Sequence, residues 1–312
     1  MSETATADQA ANSSHAQGMM IMSVGMLILP VMDGIGKYLA TEQAMSPGQV
    51  SFYRFIVQLI LTVAAIALVS GRPGFKSNRF WLNILRGFLI GGASLCFFAA
   101  VKYMPIADAL AIFFVEPFIL TALSALILGE KVGWRRWAAI GLGFIGALIV
   151  IQPSFARFGF IAFLPLGTAS LFAVYMLLNR SLGVHDGPMV MQYLAGIGGT
   201  VMIALAMGIG SVVGITDLAP SWPANGLSLS LVLLLGFLAA VGHGLVVLAF
   251  QKAPASLLAP FQYLEIISAV LIGYLVFSDV PSASKWVGIA IIVASGLFIF
   301  RRERIVAGAP QA

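Results

Sequence analysis

The feature that most constrains this chain is an apolar run of bilayer-crossing length that recurs from one end to the other. A transmembrane helix needs ~20 predominantly apolar residues to cross a hydrocarbon core ~30 Å thick. Such runs are read at roughly 18–40, 47–70, 80–102, 105–128, 134–152, 160–180, 188–210, 227–250, 255–277 and 284–301. They predict an all-α membrane protein of ten transmembrane helices. Composition enters as the reason no soluble fold competes. Hydrophobic residues make up 60% of the chain and charged residues 9%, against about 25% charged in an average soluble domain. Too few polar side chains remain to cover a water-facing surface, so the lipid bilayer is the expected solvent.

Residues 1–17, MSETATADQAANSSHAQ, are polar and contain no Lys or Arg, so the basic region of a signal peptide is missing. They are expected to form a cytoplasmic tail, with residues 305–312 as a second tail. Cys96 is the only cysteine, which rules out an intramolecular disulfide. With the N-terminus inside, eleven Lys and Arg residues fall on inner loops and four, Lys37, Lys102, Arg157 and Lys285, on the outer side. Arg54 and Arg86 lie within spans. That bias favours both termini in the cytoplasm and gives the net charge of +5 a role in orientation, without a nucleic-acid partner.

The chain also matches itself. At an offset of 149 residues, KYMPIADALAIFFVEPF aligns with QKAPASLLAPFQYLEII. Pro105 falls on Pro254, Glu116 on Glu265, Glu130 on Asp279 and Trp137 on Trp286. Five spans per half is an odd number, so the second half enters the membrane from the opposite side. Residues 18–153 and 154–304 are therefore expected to be inverted five-helix repeats, an arrangement that in secondary transporters places the substrate site near the midplane. Glu116 and Glu265 each lie ~11 residues into their spans, which at 1.5 Å per residue is mid-membrane depth.

LGEKVGWRRWAAIGLGFIGALIVIQP, residues 128–153, resembles the end of the first EamA repeat of the drug/metabolite transporter superfamily, and FSDVPSASKWVGIAIIVASGLFIFRRER, residues 277–304, resembles the end of the second. Ser278 and Asp279 stand where the first repeat has the more typical Gly129 and Glu130. The resemblance implies ten helices in two inverted repeats, a central cavity, and ATP-independent movement of a small organic solute. Within the superfamily, LPVMDGIGKYLA and APFQYLEIISA are similar to bacterial riboflavin importers.

A charge at the centre of a membrane helix costs roughly 2.5–3.5 kcal/mol, so each should face protein or a watery cavity. Asp33 and Lys37 are four residues apart on one face of span one, an arrangement that suits an ion pair or a gate on the extracellular side. Arg54 lies too deep to reach water easily, and either holds an anionic substrate group or pairs within the protein. Arg86, near the inner end of span three, is expected to snorkel. Asp108 complements the dipole of span four. His243, within GHG, either relays protons or packs as a satisfied polar group.

Glu116 and Glu265 either tie helices together or bind substrate and a coupling proton. Pro117 removes a backbone donor and should bend span four beside Glu116. Gln262 and Tyr263 share a turn with Glu265. GLGFIG, residues 141–146, follows no expected strand, so its glycines are read as packing sites rather than a nucleotide loop. Gly87 and Gly91 are read the same way. The absence of H-E-x-x-H, G-x-S-x-G, a Walker loop or a Cys/His cluster leaves no expectation of an enzyme, a cofactor or a metal. The reading that results is a secondary transporter of a small molecule in the inner membrane, with riboflavin uptake named first. Export of amino acids or related compounds, and a non-transporting scaffold or sensor, remain open. The residues specify no oligomeric state.

Overall fold

The fold comes from a computed structural model that describes residues 2–69, 75–127, 134–182, 186–253, 258, 261–262 and 264–307. These residues are helical, with no strand among them. The helices are α1 (Ser2–Thr41), α2 (Pro47–Val69), α3 (Phe80–Tyr103), α4 (Ile106–Phe113), α5 (Glu116–Ile127), α6 (Trp134–Phe158), α7 (Leu164–Leu182), α8 (Pro188–Val213), α9 (Gly226–Lys252), α10 (Leu264–Phe277) and α11 (Ala283–Ala307). Seven stretches among the described residues are long and apolar enough to cross a membrane. Large apolar side chains such as Leu68, Val212 and Leu275 are exposed on the outside of the bundle, as lipid contact requires.

Local chemistry sets several helix limits. Asn225 caps α9: its side chain accepts from the Ser228 N–H at 2.8 Å, and the Ser228 hydroxyl accepts from the Asn225 N–H at 3.1 Å. At the other end of that connection α8 stops at Gly214, whose φ of 81° a side chain would strain. The expected tail 1–17 is instead continuous with α1. It holds no Gly or Pro to stop the helix, and Gln17 accepts from Lys252 Nζ at 3.0 Å while Ser14 donates to the Lys252 carbonyl at 3.1 Å.

The break expected at Pro117 is present. α4 ends at Phe113, the chain turns through Phe114 and Val115, and α5 restarts at Glu116. Pro117 offers no N–H to the Phe113 carbonyl, and the new helix is nucleated by the Phe118 and Ile119 N–H groups, both donating to Val115 O at 3.1 Å.

α1 packs against α9 and α10, α3 against α7 and α8, α2 against α8 and α9, α5 against α7, and α6 against α11. The α3–α8 contact is as close as its glycines suggest. A Cβ on Gly87 would fall 2.7 Å from Gly198 Cα, and one on Gly91 would fall 2.9 Å from Gly199 Cα. Gly141 does not follow the expectation for GLGFIG, because a Cβ there would meet nothing within 4 Å among the described residues.

Candidate functional site: a polar cluster in an aromatic cavity

Helices α1, α2, α3, α4, α7, α9 and α10 line a cavity of about 80 Å³, smaller than the ~300–1,000 Å³ usual for small-molecule sites. Its wall is apolar and rich in phenylalanine, with Phe97 and Phe98 from α3, Phe113 from α4 and Phe172 from α7. Phe113 and Phe172 meet edge to face, their ring centres 5.4 Å apart. Against this wall stand Asp33, Arg54, His243 and Glu265. All four are buried, and all four were singled out in the sequence.

Arg54 is 3% exposed, on α2. Its Nη2 donates to His243 Nε2 at 3.0 Å. A guanidinium only donates, so Nε2 must be the accepting nitrogen and Nδ1 must carry the ring proton. Nδ1 lies 3.2 Å from the Ala239 carbonyl one turn earlier in α9, the acceptor that this tautomer needs. Both nitrogens of His243 are thereby engaged. The residue is placed to orient Arg54 rather than to stand free as a proton relay. Arg54 Nε is buried with no partner among the described residues, as is the hydroxyl of Ser94 on the same cavity wall. Asp33 faces the cavity near enough for its charge to act on Arg54, and makes no hydrogen bond among the described residues.

The two symmetry-related glutamates separate. Glu265 lines the cavity and interacts electrostatically with both Asp33 and Glu116. Glu116 is 2% exposed at the first residue of α5, outside the cavity lining, with Oε1 buried and unpartnered among the described residues. Gln262 is half-buried and does not reach the cavity, and Tyr263 lies outside the described residues.

The expected Asp33–Lys37 pair does not form. Lys37 runs over the Phe277 ring, 4.5 Å from its centre, and its Nζ reaches Asp279 at 2.7 Å. Its long stem follows the outward end of α1, while the shorter Asp33 side chain, a turn earlier, turns into the cavity. Arg86 does not snorkel either. It is fully buried, donating to the Asn179 side chain and the Met191 carbonyl above the Tyr175 ring. Asp108 sits in the first turn of α4, as its dipole role requires, and is also ion-paired with Lys285.

Three comparisons fit this architecture. The model of the EamA-like transporter family matches residues 17–152. A riboflavin transporter of Vibrio cholerae is 30% identical over 93% of this chain and 97% of its own length. The chain belongs to the EamA-like transporter family. An S-adenosylmethionine uptake transporter of Rickettsia bellii is 26% identical over 87% of this chain and 89% of its own. A solved crystal structure, 17% identical, superposes with a TM-score of 0.63 over 93% of this chain and 99% of that one, so the fold is shared.

This EamA transporter is thus a multi-pass membrane protein of the drug/metabolite transporter superfamily and not an enzyme. Its two ends differ. At the end holding the α1–α2, α3–α4, α8–α9 and α10–α11 connections, Lys37 pairs with Asp279, Lys102 with Asp217 and Lys285 with Asp108. Every pair joins residues 18–153 to residues 154–304.

At the opposite end Asp186 accepts from the Asn78 N–H at 2.7 Å, the Ser77 hydroxyl at 2.8 Å and the Asn83 amide at 2.7 Å. Burial disfavours its charge, but those donors outweigh burial and hold the carboxyl below the usual carboxylate range. The sequence reading missed Ser94, Phe97, Phe98 and Thr168 as cavity residues. They sit in GGASLCFF and LGTAS, small-residue stretches whose only cue is a polar or aromatic group among glycines and alanines.

Proposed function

We propose that the protein is a secondary transporter that takes up riboflavin by alternating access, with the cavity bounded by Arg54, Asp33, His243 and Glu265 as its substrate site. The observation that carries this reading is the pairing of a phenylalanine-rich wall with one compact polar cluster. A flat three-ring solute can stack on the first, and its hydrogen-bonding edge can reach the second. The riboflavin transporter of Vibrio cholerae supports the choice of solute.

The same reading takes residues 18–153 and 154–304 as two inverted repeats of five helices, making ten in all. Their packing supports it. Exchanging each helix with its counterpart turns the α1–α9 contact into α7–α3, α3–α8 into α9–α2, and α1–α10 into α7–α5, while α2–α8 and α6–α11 map onto themselves. Each product is a contact that exists. Both termini are cytoplasmic in this scheme, the three ion pairs close the periplasmic side in the inner membrane, and Glu265 is the cavity carboxyl that takes up a coupling proton.

A second reading has its own support. Two carboxyl groups beside one arginine suit a substrate bearing both a cation and a carboxylate, and the Rickettsia bellii relative is named for S-adenosylmethionine. Labelled riboflavin supplied to proteoliposomes, with and without an inward proton gradient and with unlabelled S-adenosylmethionine as competitor, separates the two. Saturable riboflavin entry that the gradient stimulates and S-adenosylmethionine leaves untouched is expected. Entry of S-adenosylmethionine in place of riboflavin would sink the first reading.

A further inference from the structure

The cavity is lined by three residues with polar groups that no hydrogen bond among the described residues satisfies. Arg54 Nε is a buried donor without an acceptor, Ser94 Oγ is a buried hydroxyl without a partner, and the Asp33 carboxyl makes no hydrogen bond among the described residues. An unpaired buried donor forgoes a hydrogen bond to water and regains it only when something else supplies the acceptor. The orientation of Arg54 is not accidental. His243 holds one terminal N–H group and is itself held by Ala239, so the guanidinium is fixed with Nε unpartnered among the described residues. An apolar Phe wall on the same cavity raises the value of whatever hydrogen bonds a ligand brings.

Two donors, from Arg54 and Ser94, and one acceptor, from Asp33, match in number and kind a flat edge that carries two acceptors and one donor. We propose that this cluster is the specificity determinant for a cyclic imide, the C=O, N–H, C=O edge of a planar heteroaromatic ring, and that the polyol tail of the substrate is not what the cavity reads. The carbonyl oxygens accept from Arg54 and Ser94, and the imide N–H donates to Asp33. His243 acts as a positioning residue through Arg54. The proposal rests on the riboflavin reading and adds to it which part of the molecule is recognised.

The full chain in proteoliposomes, taking up labelled riboflavin, tests it with two unlabelled competitors. N3-methylriboflavin keeps the polyol and blocks the imide N–H, whereas lumiflavin keeps the imide and replaces the polyol with a methyl group. Lumiflavin should compete within a few-fold of riboflavin, and N3-methylriboflavin at least about tenfold more weakly, as loss of one buried charge-assisted hydrogen bond implies. Ser94→Ala should raise KM about threefold to tenfold with kcat kept. His243→Leu should raise it similarly, with partial rescue by His243→Gln, whose side-chain oxygen can still accept from Arg54. N3-methylriboflavin competing as well as riboflavin, or lumiflavin failing to compete, overturns this proposal while leaving riboflavin transport intact. Absence of any riboflavin flux overturns the transport reading and this proposal with it.

Discussion

Two sets of charges sit a few helical turns apart in this transporter and are treated in opposite ways. At the end of the bundle that holds the α1–α2 and α10–α11 connections, each of Lys37, Lys102 and Lys285 has its own carboxylate. In the cavity, Arg54 is engaged by a neutral ring rather than by an acid, and Asp33, Arg54 Nε and Ser94 keep unspent hydrogen-bonding capacity. Charges that meet each other hold two halves of a molecule together. Charges left open in an apolar wall are stabilised fully only when a ligand arrives.

Substitutions that cut one set and spare the other test the distinction. The largest effect is expected on stability at the best-buried pair. Lys285→Met strands the Asp108 carboxylate, and removing one partner of a buried pair costs ~3–5 kcal/mol. The double variant with Asp108→Leu should recover most of that loss in thermal melts of the detergent-solubilised chain. A double variant no more stable than the single one would break the comparison. Next comes the cavity. Arg54→Leu leaves Asp33 without its neighbouring cation and the substrate without its donors, and should lower kcat/KM for riboflavin by about 100-fold with the melting temperature much less affected.

The glutamates offer a narrower contrast. Glu265→Gln should lower gradient-driven uptake about tenfold, because a cavity carboxyl is replaced by a group that cannot carry the proton. Glu116→Gln should change uptake less than about twofold, since that side chain lies outside the cavity lining. Equal effects would assign both residues one role. The smallest effect belongs to Asp186. Its carboxyl is held low in the folded protein, so its stabilising contribution is present above the ordinary value near pH ~3.9 and is lost as pH falls through the folded-state value. Asp186→Asn should therefore cost ~1 kcal/mol at neutral pH, with the difference from the unmodified chain shrinking in acid.

Much of the architecture was legible in the sequence because it depends on period and length. Apolar runs place helices, and a proline beside Glu116 breaks one. The mid-membrane ionisable residues Asp33, Arg54, His243 and Glu265 were legible too, because each is costly in lipid and must face something. Partnership was not legible. Lys37 has an acid four residues away, yet binds one 242 residues away, since the direction of each side chain and not the spacing decides the pair. Arg86 fails the snorkelling rule for a similar reason, its acceptors lying on α7 and α8. Glu116 and Glu265 are equivalent at an offset of 149 residues but not in space, since Glu265 lines the cavity and Glu116 does not. The cavity's aromatic wall was the least legible part, as phenylalanine in a membrane helix reads equally as core, lipid contact or ligand platform.

The most direct measurement is equilibrium binding of riboflavin to the purified full chain, followed by quenching of flavin fluorescence, with one variant from each set of charges. Binding should weaken at least about tenfold in Arg54→Gln. It should stay within about twofold of the unmodified protein in Lys102→Gln, whose partly exposed pair with Asp217 lies away from the cavity. No saturable binding to the unmodified chain, or equal weakening in both variants, would contradict the account.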